Sequence, residues 1–391
     1  MVMDRLFSLM AEKKASDIFL APGSPIHIKI NGMSIPVNQQ KLDADGVERL
    51  LQEILTERQW QEFLERRELN AGYGLRGVGS FRINVFRQRG APACVVRYIP
   101  SDIPALESLN LPPLLSELVM EKRGLILVVG STGSGKSTTL ASMLDHRNEK
   151  RSGHILTFED PIEFVFRNKR SIVNQRQIGT DTDSLGVGLK NAMRQAPDCI
   201  LIGEIRDVET MSAAIAYAQS GHLVLSTLHA NNANNALNRI ISFYQPENRR
   251  VMMSDLAATL RAIVSQRLVR NAQGARIPAV ELLLNTRHVA ELIEQGQLTE
   301  VKDAMEKSLA PGSQTFEQAL VRLVRARVIS REDAITNADS PTNLLWLLEN
   351  DGGSDPAPAS GAAPAALPTL PGARPEREPD SASFSEFLLN I

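Results

Sequence analysis

The feature that most constrains this chain is a glycine-rich phosphate-binding motif. The segment Gly130–Ser137 reads GSTGSGKS and matches the pattern G-x-x-x-x-G-K-[ST] at every fixed position. It follows an apolar run, Leu125–Val129, and precedes a helical stretch. Glycines let backbone N–H groups wrap closely around phosphate oxygens, and the following helix directs its positive dipole end at them. Further apolar runs at 154–158, 199–202 and 223–227 are each followed by a helical stretch, and this alternation predicts an α/β fold with a parallel sheet covered on both faces.

The chemistry of the motif predicts a nucleotide site. Lys136 is expected to bridge the β- and γ-phosphates, and the Ser137 hydroxyl is expected to bind Mg²⁺. The predicted cofactors are therefore ATP and Mg²⁺. The predicted ATP-binding residues are Gly130, Ser131, Thr132, Gly133, Ser134, Gly135, Lys136, Ser137 and Thr138.

Two acidic clusters follow apolar runs that read as strands, at 154–158 and 199–202. The first cluster is Glu159–Glu163 and the second is Gly203–Asp207. Because ligands bind at the carboxyl ends of strands in open α/β sheets, these acids are expected beside the nucleotide. Glu204 is predicted to serve the Mg²⁺ ion and its water, and Glu159 or Glu163 to orient the attacking water. The sequence leaves open which of the two does so, and any one such acid could instead cap a helix.

Two histidines bracket another apolar run, at 223–227. His229 follows this run and is predicted to sense the γ-phosphate, because it lies at the carboxyl end of a strand. For His222, which precedes the run, a structural and a functional role stay open.

The composition pattern divides the chain into five segments. Residues 1–100 read as a small α+β domain with an amphipathic first helix and one longer helix over 45–66. A Pro-studded linker is predicted at 101–113, the ATPase core at 114–284 and a helical region at 285–350. Residues 351–391 are predicted to be disordered, because the Ala, Pro, Gly and Ser-rich stretch lacks large apolar side chains. Their apolar end, 384–389, reads equally as a docking peptide or as a frayed end.

Charge, cysteine content and hydropathy narrow the function classes. The formal net charge is −2, which gives no general electrostatic drive toward nucleic acid. The two cysteines, Cys94 and Cys199, are far apart in sequence and predict no structural zinc site. No apolar run approaches the ~18–20 residues of a membrane span, so a cytoplasmic protein is expected.

Four segments together resemble the motifs of the secretion ATPase superfamily. GSTGSGKSTT is similar to its Walker A motif, TFEDPIEF to its Asp box, DCILIGEIRD to its Walker B motif and GHLVLSTLHANNA to its His box. The resemblance implies a RecA-like P-loop ATPase core, a smaller PAS-like α+β N-terminal domain, a helical C-terminal region and a hexameric assembly. It also implies that Arg82 and Arg97 reach the nucleotide from the N-terminal domain.

Within that superfamily the chain resembles the type IV pilus retraction ATPases, the PilT/PilU group, and the PilU branch most. It shows neither the long N-terminal region nor the tetracysteine insert of the extension ATPases. Phe19 stands where the PilT branch usually has histidine, and 313–318 and 338–343 look like PilU's C-terminal region.

This resemblance implies an ATP-hydrolysing hexameric motor for pilus retraction and twitching motility, accessory to a principal retraction ATPase. The implied partners are further copies of the chain, the principal retraction ATPase and an inner-membrane platform protein, with no nucleic acid. The implied location is cytoplasmic and peripheral at the inner membrane.

Two other functions stay open at this point. One is an ATP-binding scaffold of the retraction complex with little hydrolysis of its own. The other is a RecA-like nucleic-acid translocase, which the near-neutral charge disfavours. Near-zero hydrolysis with tight ATP binding would favour the scaffold, and ATPase activity stimulated by DNA would favour the translocase.

Overall fold

The structure is a computed structural model that describes residues 1–30, 32–99, 102–308 and 310–350. These residues form two compact units, one within residues 1–99 and the other beginning at Asp102. The predicted linker, from residue 102 onward, belongs to the second unit and contributes Leu106 to its core. The tail predicted to be disordered, 351–391, lies outside the described residues.

The first unit is a six-stranded antiparallel sheet with three helices. Its strand order is β3-β2-β1-β6-β5-β4. The strands are β1 (Asp17–Leu20), β2 (Pro25–Ile30), β3 (Met33–Lys41), β4 (Glu68–Leu75), β5 (Gly79–Gln88) and β6 (Ala91–Ile99). The helices are α1 (Val2–Lys13), α2 (Ala44–Gln52) and α3 (Glu57–Arg66). The predicted apolar face of α1 is confirmed, because Leu6, Phe7 and Met10 are all fully buried.

The prediction of one helix over 45–66 is wrong, since the chain forms α2 and α3 with a break between them. The cause is a capping box at Thr56. The Thr56 Oγ1 accepts from the Gln59 N–H at 3.3 Å, and the Gln59 side chain accepts from the Thr56 N–H at 2.9 Å. This reciprocal pair satisfies two backbone donors and starts a new helix inside the apolar periodicity.

The second unit is built on a seven-stranded sheet of order β13-β12-β7-β11-β10-β8-β9. The strands are β7 (Gly124–Val129), β8 (Gly153–Glu159), β9 (Ser171–Gln177), β10 (Cys199–Ile202), β11 (Leu223–Leu228), β12 (Leu260–Arg270) and β13 (Arg276–Leu284). All neighbours pair in parallel except β12 and β13, which form an antiparallel hairpin at one edge. The predicted parallel sheet is therefore confirmed.

Helices cover this sheet and continue into the C-terminal region. They are α4 (Leu114–Leu118), α5 (Lys136–Lys150), α6 (Leu185–Ala192), α7 (Val208–Gln219), α8 (Ala233–Phe243), α9 (Pro246–Thr259), α10 (Arg287–Gln295), α11 (Val301–Glu306), α12 (Phe316–Arg325), α13 (Arg331–Asn337) and α14 (Pro341–Asn350). Short 3₁₀ turns lie at 106–109, 193–195 and 298–300.

Alternate residues of β7 enter two different cores. Leu125, Leu127 and Val129 pack in one apolar cluster, whereas Ile126 and Val128 pack in another on the opposite face. A strand buried on both faces reads as a continuous apolar run, which is the pattern that the sequence shows. The predicted fold class, a RecA-like α/β core with a smaller α+β domain and a helical C-terminal region, is confirmed.

The last three helices have a core of their own against the edge hairpin. Leu320, Ile329 and Leu344 pack with Val269 of β12 and Ala279 of β13. In the part of the chain that the structure describes, no helix is long and apolar enough to cross a membrane.

Candidate active site

The glycine-rich loop connects β7 to α5, and its shape depends on glycine. Gly133 and Gly135 have φ values of 79° and 89°, and Gly130 has a φ of 156°. A Cβ atom on Gly130 would lie 2.4 Å from Ser134 Oγ and 2.5 Å from the carbonyl oxygen of Gln266. Any side chain there would push the loop away from β12, so the motif requires glycine for close approach as well as for conformation.

Lys136 lies inside this loop. Its side chain is largely buried, and Nζ donates to the carbonyl oxygens of Gly130 at 2.9 Å and Ser131 at 2.8 Å. Burial lowers the pKa of Lys136, whereas the charges of Glu204 and Glu163 raise it. Both predicted acidic clusters are therefore close enough to act electrostatically on the loop lysine.

Three turns at the carboxyl ends of β8, β10 and β11 are hydrogen-bonded to one another. The Gly203 N–H donates to the Phe158 carbonyl at 2.8 Å, and the Ile205 N–H donates to the Thr227 carbonyl at 2.9 Å. The Thr227 hydroxyl donates to the Gly203 carbonyl at 2.7 Å. These bonds hold the two acidic clusters and the segment around His229 together at the carboxyl ends of the strands, where a parallel sheet places such residues.

Glu204 and His229 are in contact at these carboxyl ends. His229 Nε2 lies 3.2 Å from Glu204 Oε1, and Arg206 contacts the other oxygen, with Nε at 2.8 Å. Glu204 is 19% exposed, whereas the Arg206 side chain is 64% exposed. Glu204 is thus contacted from two sides, by His229 and by Arg206.

Glu159 and Glu163 differ in their surroundings. Glu159 Oε1 accepts from the Thr157 hydroxyl at 2.6 Å and from the Gln175 amide at 3.0 Å. Burial raises the pKa of Glu159, and these hydrogen bonds oppose that rise. Glu163 is exposed.

The remaining predicted residues lie elsewhere. His222 is at the amino end of β11, where Nδ1 lies 3.1 Å from Ser220 Oγ and 3.2 Å from the Tyr217 carbonyl oxygen. At ~3.3 Å per residue, β11 separates it from the site by about 20 Å. The structural role is the one that fits His222.

Arg82 and Arg97 lie directly opposite each other on β5 and β6 of the first unit. Arg97 Nε donates to Asp17 Oδ1 at 2.9 Å, and the Arg97 side chain is 65% exposed. Asp17 is buried, so the ion pair anchors one side of this arginine pair while leaving guanidinium surface accessible.

Sequence reasoning missed Gln266 on β12. Its Oε1 accepts from the Thr139 hydroxyl at 2.7 Å, and its side-chain nitrogen would lie 2.7 Å from a Cβ on Gly135. Gln266 therefore packs against the glycine-rich loop from the side opposite β11. The sequence feature that could have indicated Gln266 is the polar segment Ser265-Gln266-Arg267, which directly follows the apolar run 262–264.

A polar cavity of about 240 Å³ lies between the loop and the edge hairpin. Its lining residues are Ser131, Thr132, Gly133, Ser134, Asn231, Gln266, Arg267, Leu268, Arg276 and Asn337. The two arginines and the asparagines provide hydrogen-bond donors beside the loop.

The residues present fit Mg²⁺ bound together with a nucleotide. Ser134 Oγ is buried within the loop with no hydrogen-bond partner among the described residues, which suits a cradle that closes around phosphate. Those residues include no cluster of three His, Cys, Asp or Glu side chains that would hold a metal alone. Mg²⁺ usually takes one or two protein oxygens and completes its shell with phosphates and water. Ser137 and Glu204 supply oxygens of that kind.

Comparison with known proteins decides the family. A family model described as "Type II/IV secretion system protein" matches residues 1–290. The chain belongs to this family. The "Type IV pilus ATPase PilU" of Pseudomonas aeruginosa is 44% identical over 356 residues, which cover 91% of this chain and 93% of that protein. The "Type IV pilus retractation ATPase PilT" of the same organism is 36% identical over 344 residues, 88% of this chain and 100% of PilT.

A solved structure agrees with these matches. The crystal structure of the pilus retraction motor PilT with bound ADP superposes with a TM-score of 0.82 at 39% identity, covering 87% of this chain and 98% of PilT. The predicted resemblance to the PilT/PilU group of retraction ATPases, including PilU, is confirmed.

Proposed function

We propose that this chain is an ATP-hydrolysing motor for type IV pilus retraction and twitching motility. It acts as a homohexamer and as an accessory to a principal retraction ATPase. The similarity to PilU and PilT over most of the chain supports the cellular role. The observation that supports hydrolysis is the arrangement of Lys136 and the Glu204–His229 pair, since the loop after β7 and the residues after β10 and β11 follow three neighbouring parallel strands.

The glycine-rich loop binds the phosphates of ATP. Residues 130–138 surround the β- and γ-phosphates with backbone N–H groups, and Lys136 bridges the two. Ser137 and Glu204 hold Mg²⁺, which when bound neutralises charge on the phosphate oxygens. His229 senses the γ-phosphate through its contact with Glu204.

Glu163 orients the attacking water. The sequence left open whether Glu159 or Glu163 orients the water. The Glu159 carboxylate, however, already accepts hydrogen bonds from Thr157 and Gln175. Glu163 is exposed, and its charge acts on the loop lysine by raising the pKa of Lys136, which supports this choice. A water-orienting group needs a free acceptor within reach of the nucleophile.

Arg82 and Arg97 supply positive charge from the N-terminal domain to the γ-phosphate. Their opposed positions on β5 and β6 support this role, because a pair of guanidinium groups neutralises charge spread over several phosphoryl oxygens.

Membership of the family supports a proposal for the assembly and its partners. Copies of the chain form a ring, the ring works with a principal retraction ATPase, and both act on an inner-membrane platform protein. The chain is then cytoplasmic and peripheral to the inner membrane, and it takes no nucleic acid.

The test is phosphate release by the purified full chain, alone and mixed with a principal retraction ATPase whose own loop lysine has been replaced. All turnover in the mixture then comes from this chain. We expect turnover alone and faster turnover in the mixture. ATP binding without turnover in both settings would overturn the motor function in favour of a scaffold.

A further inference from the structure

The segment that follows His229 is held by residues distant in sequence. Residues 230–232 join β11 to α8, and Asn232 caps that helix by accepting from the Asn235 N–H at 2.8 Å. The next residue, Ala233, donates its N–H to Glu281 Oε1 of β13 at 2.7 Å. The position of His229 therefore depends on contacts beyond its own strand.

Arg267 of β12 makes another of these contacts. Its Nη2 donates to the Asn231 carbonyl at 3.1 Å, and its Nη1 donates to the Asn337 carbonyl at 2.5 Å. The guanidinium lies 4.0 Å from the centroid of the Phe316 ring. One side chain thus connects the segment after His229 to the C-terminal helices α12 and α13.

Asp339 completes the connection. One of its carboxylate oxygens pairs with Arg267, and the other accepts from the Asn232 side-chain amide at 2.8 Å. The Arg267 and Asp339 side chains are each only 20% exposed, so solvent competes weakly with the pair. The carboxylate bridges an arginine on β12 and the cap of α8.

We propose that Arg267 and Asp339 are positioning residues for ATP hydrolysis. Together they form a clasp that ties the segment after His229 to the C-terminal helical region. The clasp keeps His229 against Glu204, so a residue outside the glycine-rich loop and the acidic clusters sets the rate of turnover. This role in catalysis rests on the proposed hydrolysis. The contacts of the clasp belong to the folded chain and do not depend on whether it hydrolyses ATP.

The physical reason is the directional strength of charge-assisted hydrogen bonds. Without Asp339, Arg267 would bind Asn231 only through a hydrogen bond to its neutral carbonyl oxygen. No carboxylate would then fix the direction of the guanidinium. Removing the Asp339 carboxylate takes the charged acceptor from the guanidinium, which keeps the Asn231 and Asn337 carbonyls, and it takes the acceptor from the Asn232 amide. Both ends of the segment then gain motion, while the glycine-rich loop keeps the hydrogen bonds from Lys136 to Gly130 and Ser131.

The experiment compares Asp339→Ala and the milder Asp339→Asn with Glu332→Ala in the full chain. Glu332 is an exposed carboxylate on α13 with no side-chain partner among the described residues, so it is a matched control. For Asp339→Ala we expect amide hydrogen exchange in residues 229–235 to rise by about 10-fold. We expect kcat to fall by about 10-fold and the Kd for ATP to stay within about 2-fold of wild type. Asp339→Glu is expected to recover part of kcat.

The outcomes separate the clasp from the proposed function. If Asp339→Ala and Asp339→Asn both show wild-type amide hydrogen exchange in residues 229–235, equal to that of Glu332→Ala, the clasp is overturned. A loss of ATP affinity equal to the loss of kcat would overturn it as well, because that pattern means general damage to the site. Faster amide hydrogen exchange confined to residues 229–235 of the Asp339 variants, in a chain that hydrolyses no ATP, would support the clasp and contradict the proposed hydrolysis.

Discussion

At the scale of single residues, the site is defined by which carboxylates have free oxygens. Glu159 is engaged by Thr157 and Gln175, and Glu204 by Arg206 and His229. Glu163 is the exposed member of the first acidic cluster. The three glutamates therefore differ: Glu159 is hydrogen-bonded to neighbouring strands, Glu204 is contacted by Arg206 and His229, and Glu163 is exposed.

The first prediction concerns Glu163. In Glu163→Ala we expect ATP turnover to fall by about 100-fold with ATP binding retained, because water loses its orienting acceptor. Phosphate release and binding of a fluorescent ATP analogue measure the two effects separately. Glu159→Gln is the comparison, and a larger loss in that variant with normal turnover in Glu163→Ala would transfer the role to Glu159.

At the scale of elements, the apolar strands of the parallel sheet were predictable from sequence, whereas the edge hairpin was not. β7, β8, β10 and β11 each contain an apolar run, and β7, β8 and β10 end in glycine or acidic turns, which is a strong local signal. β12 begins at Leu260 directly after α9, which ends at Thr259, with no glycine or proline to mark the change. Its pairing with β7 on one side and β13 on the other makes it a strand, and tertiary pairing leaves little trace in local sequence.

The same limit explains what was missed in the site. The glycine-rich loop, Glu204 and His229 could be located because each follows a recognisable strand. Gln266 and Arg267 lie on β12, and their contacts depend on the hairpin and on helices far along the chain. Their roles could not be read without the register of β12 against β7.

The second prediction concerns the element junction at Glu281, where β13 meets the start of α8. Burial raises the pKa of Glu281 to about 7, and the charges of Asp339 and Glu317 add to the rise. Because the folded-state pKa lies above the ordinary value of 4.5, this carboxyl favours the folded state most at low pH. That contribution is lost as pH rises through about 7.

We therefore expect the free energy of unfolding of wild type to fall, relative to Glu281→Gln, between about pH 5 and about pH 8, by at most about 3 kcal/mol. Glutamine keeps an oxygen that accepts from Ala233 and Ser265 but carries no charge. Denaturant unfolding across this pH range measures the difference, with the exposed Glu291→Gln as control. A constant difference between wild type and Glu281→Gln would contradict the assignment.

At the scale of the whole molecule, each compact unit carries one of the two cysteines. Cys94 lies in the first unit and Cys199 in the second, and both are buried. Burial raises the pKa of Cys94, and it raises the pKa of Cys199 to about 12. Because the thiolate is the reactive form, neither residue should react until its unit opens.

The third prediction follows from that placement. We expect thiol labelling of the native chain to be slower than that of the denatured chain by at least about 100-fold at both cysteines. Cys94→Ser and Cys199→Ser assign each rate to one unit. Native labelling of either thiol at the denatured rate would show that its unit is open in solution.

The most direct test of the account is steady-state ATP turnover by Lys136→Ala, because every proposed step needs phosphate held by this loop. The matched control is Lys150→Ala, an exposed lysine in the last turn of the same helix. We predict that Lys136→Ala loses at least about 100-fold in turnover with its thermal unfolding unchanged, and that Lys150→Ala keeps wild-type turnover. Wild-type turnover by Lys136→Ala would contradict the assignment of the site and with it the proposed function.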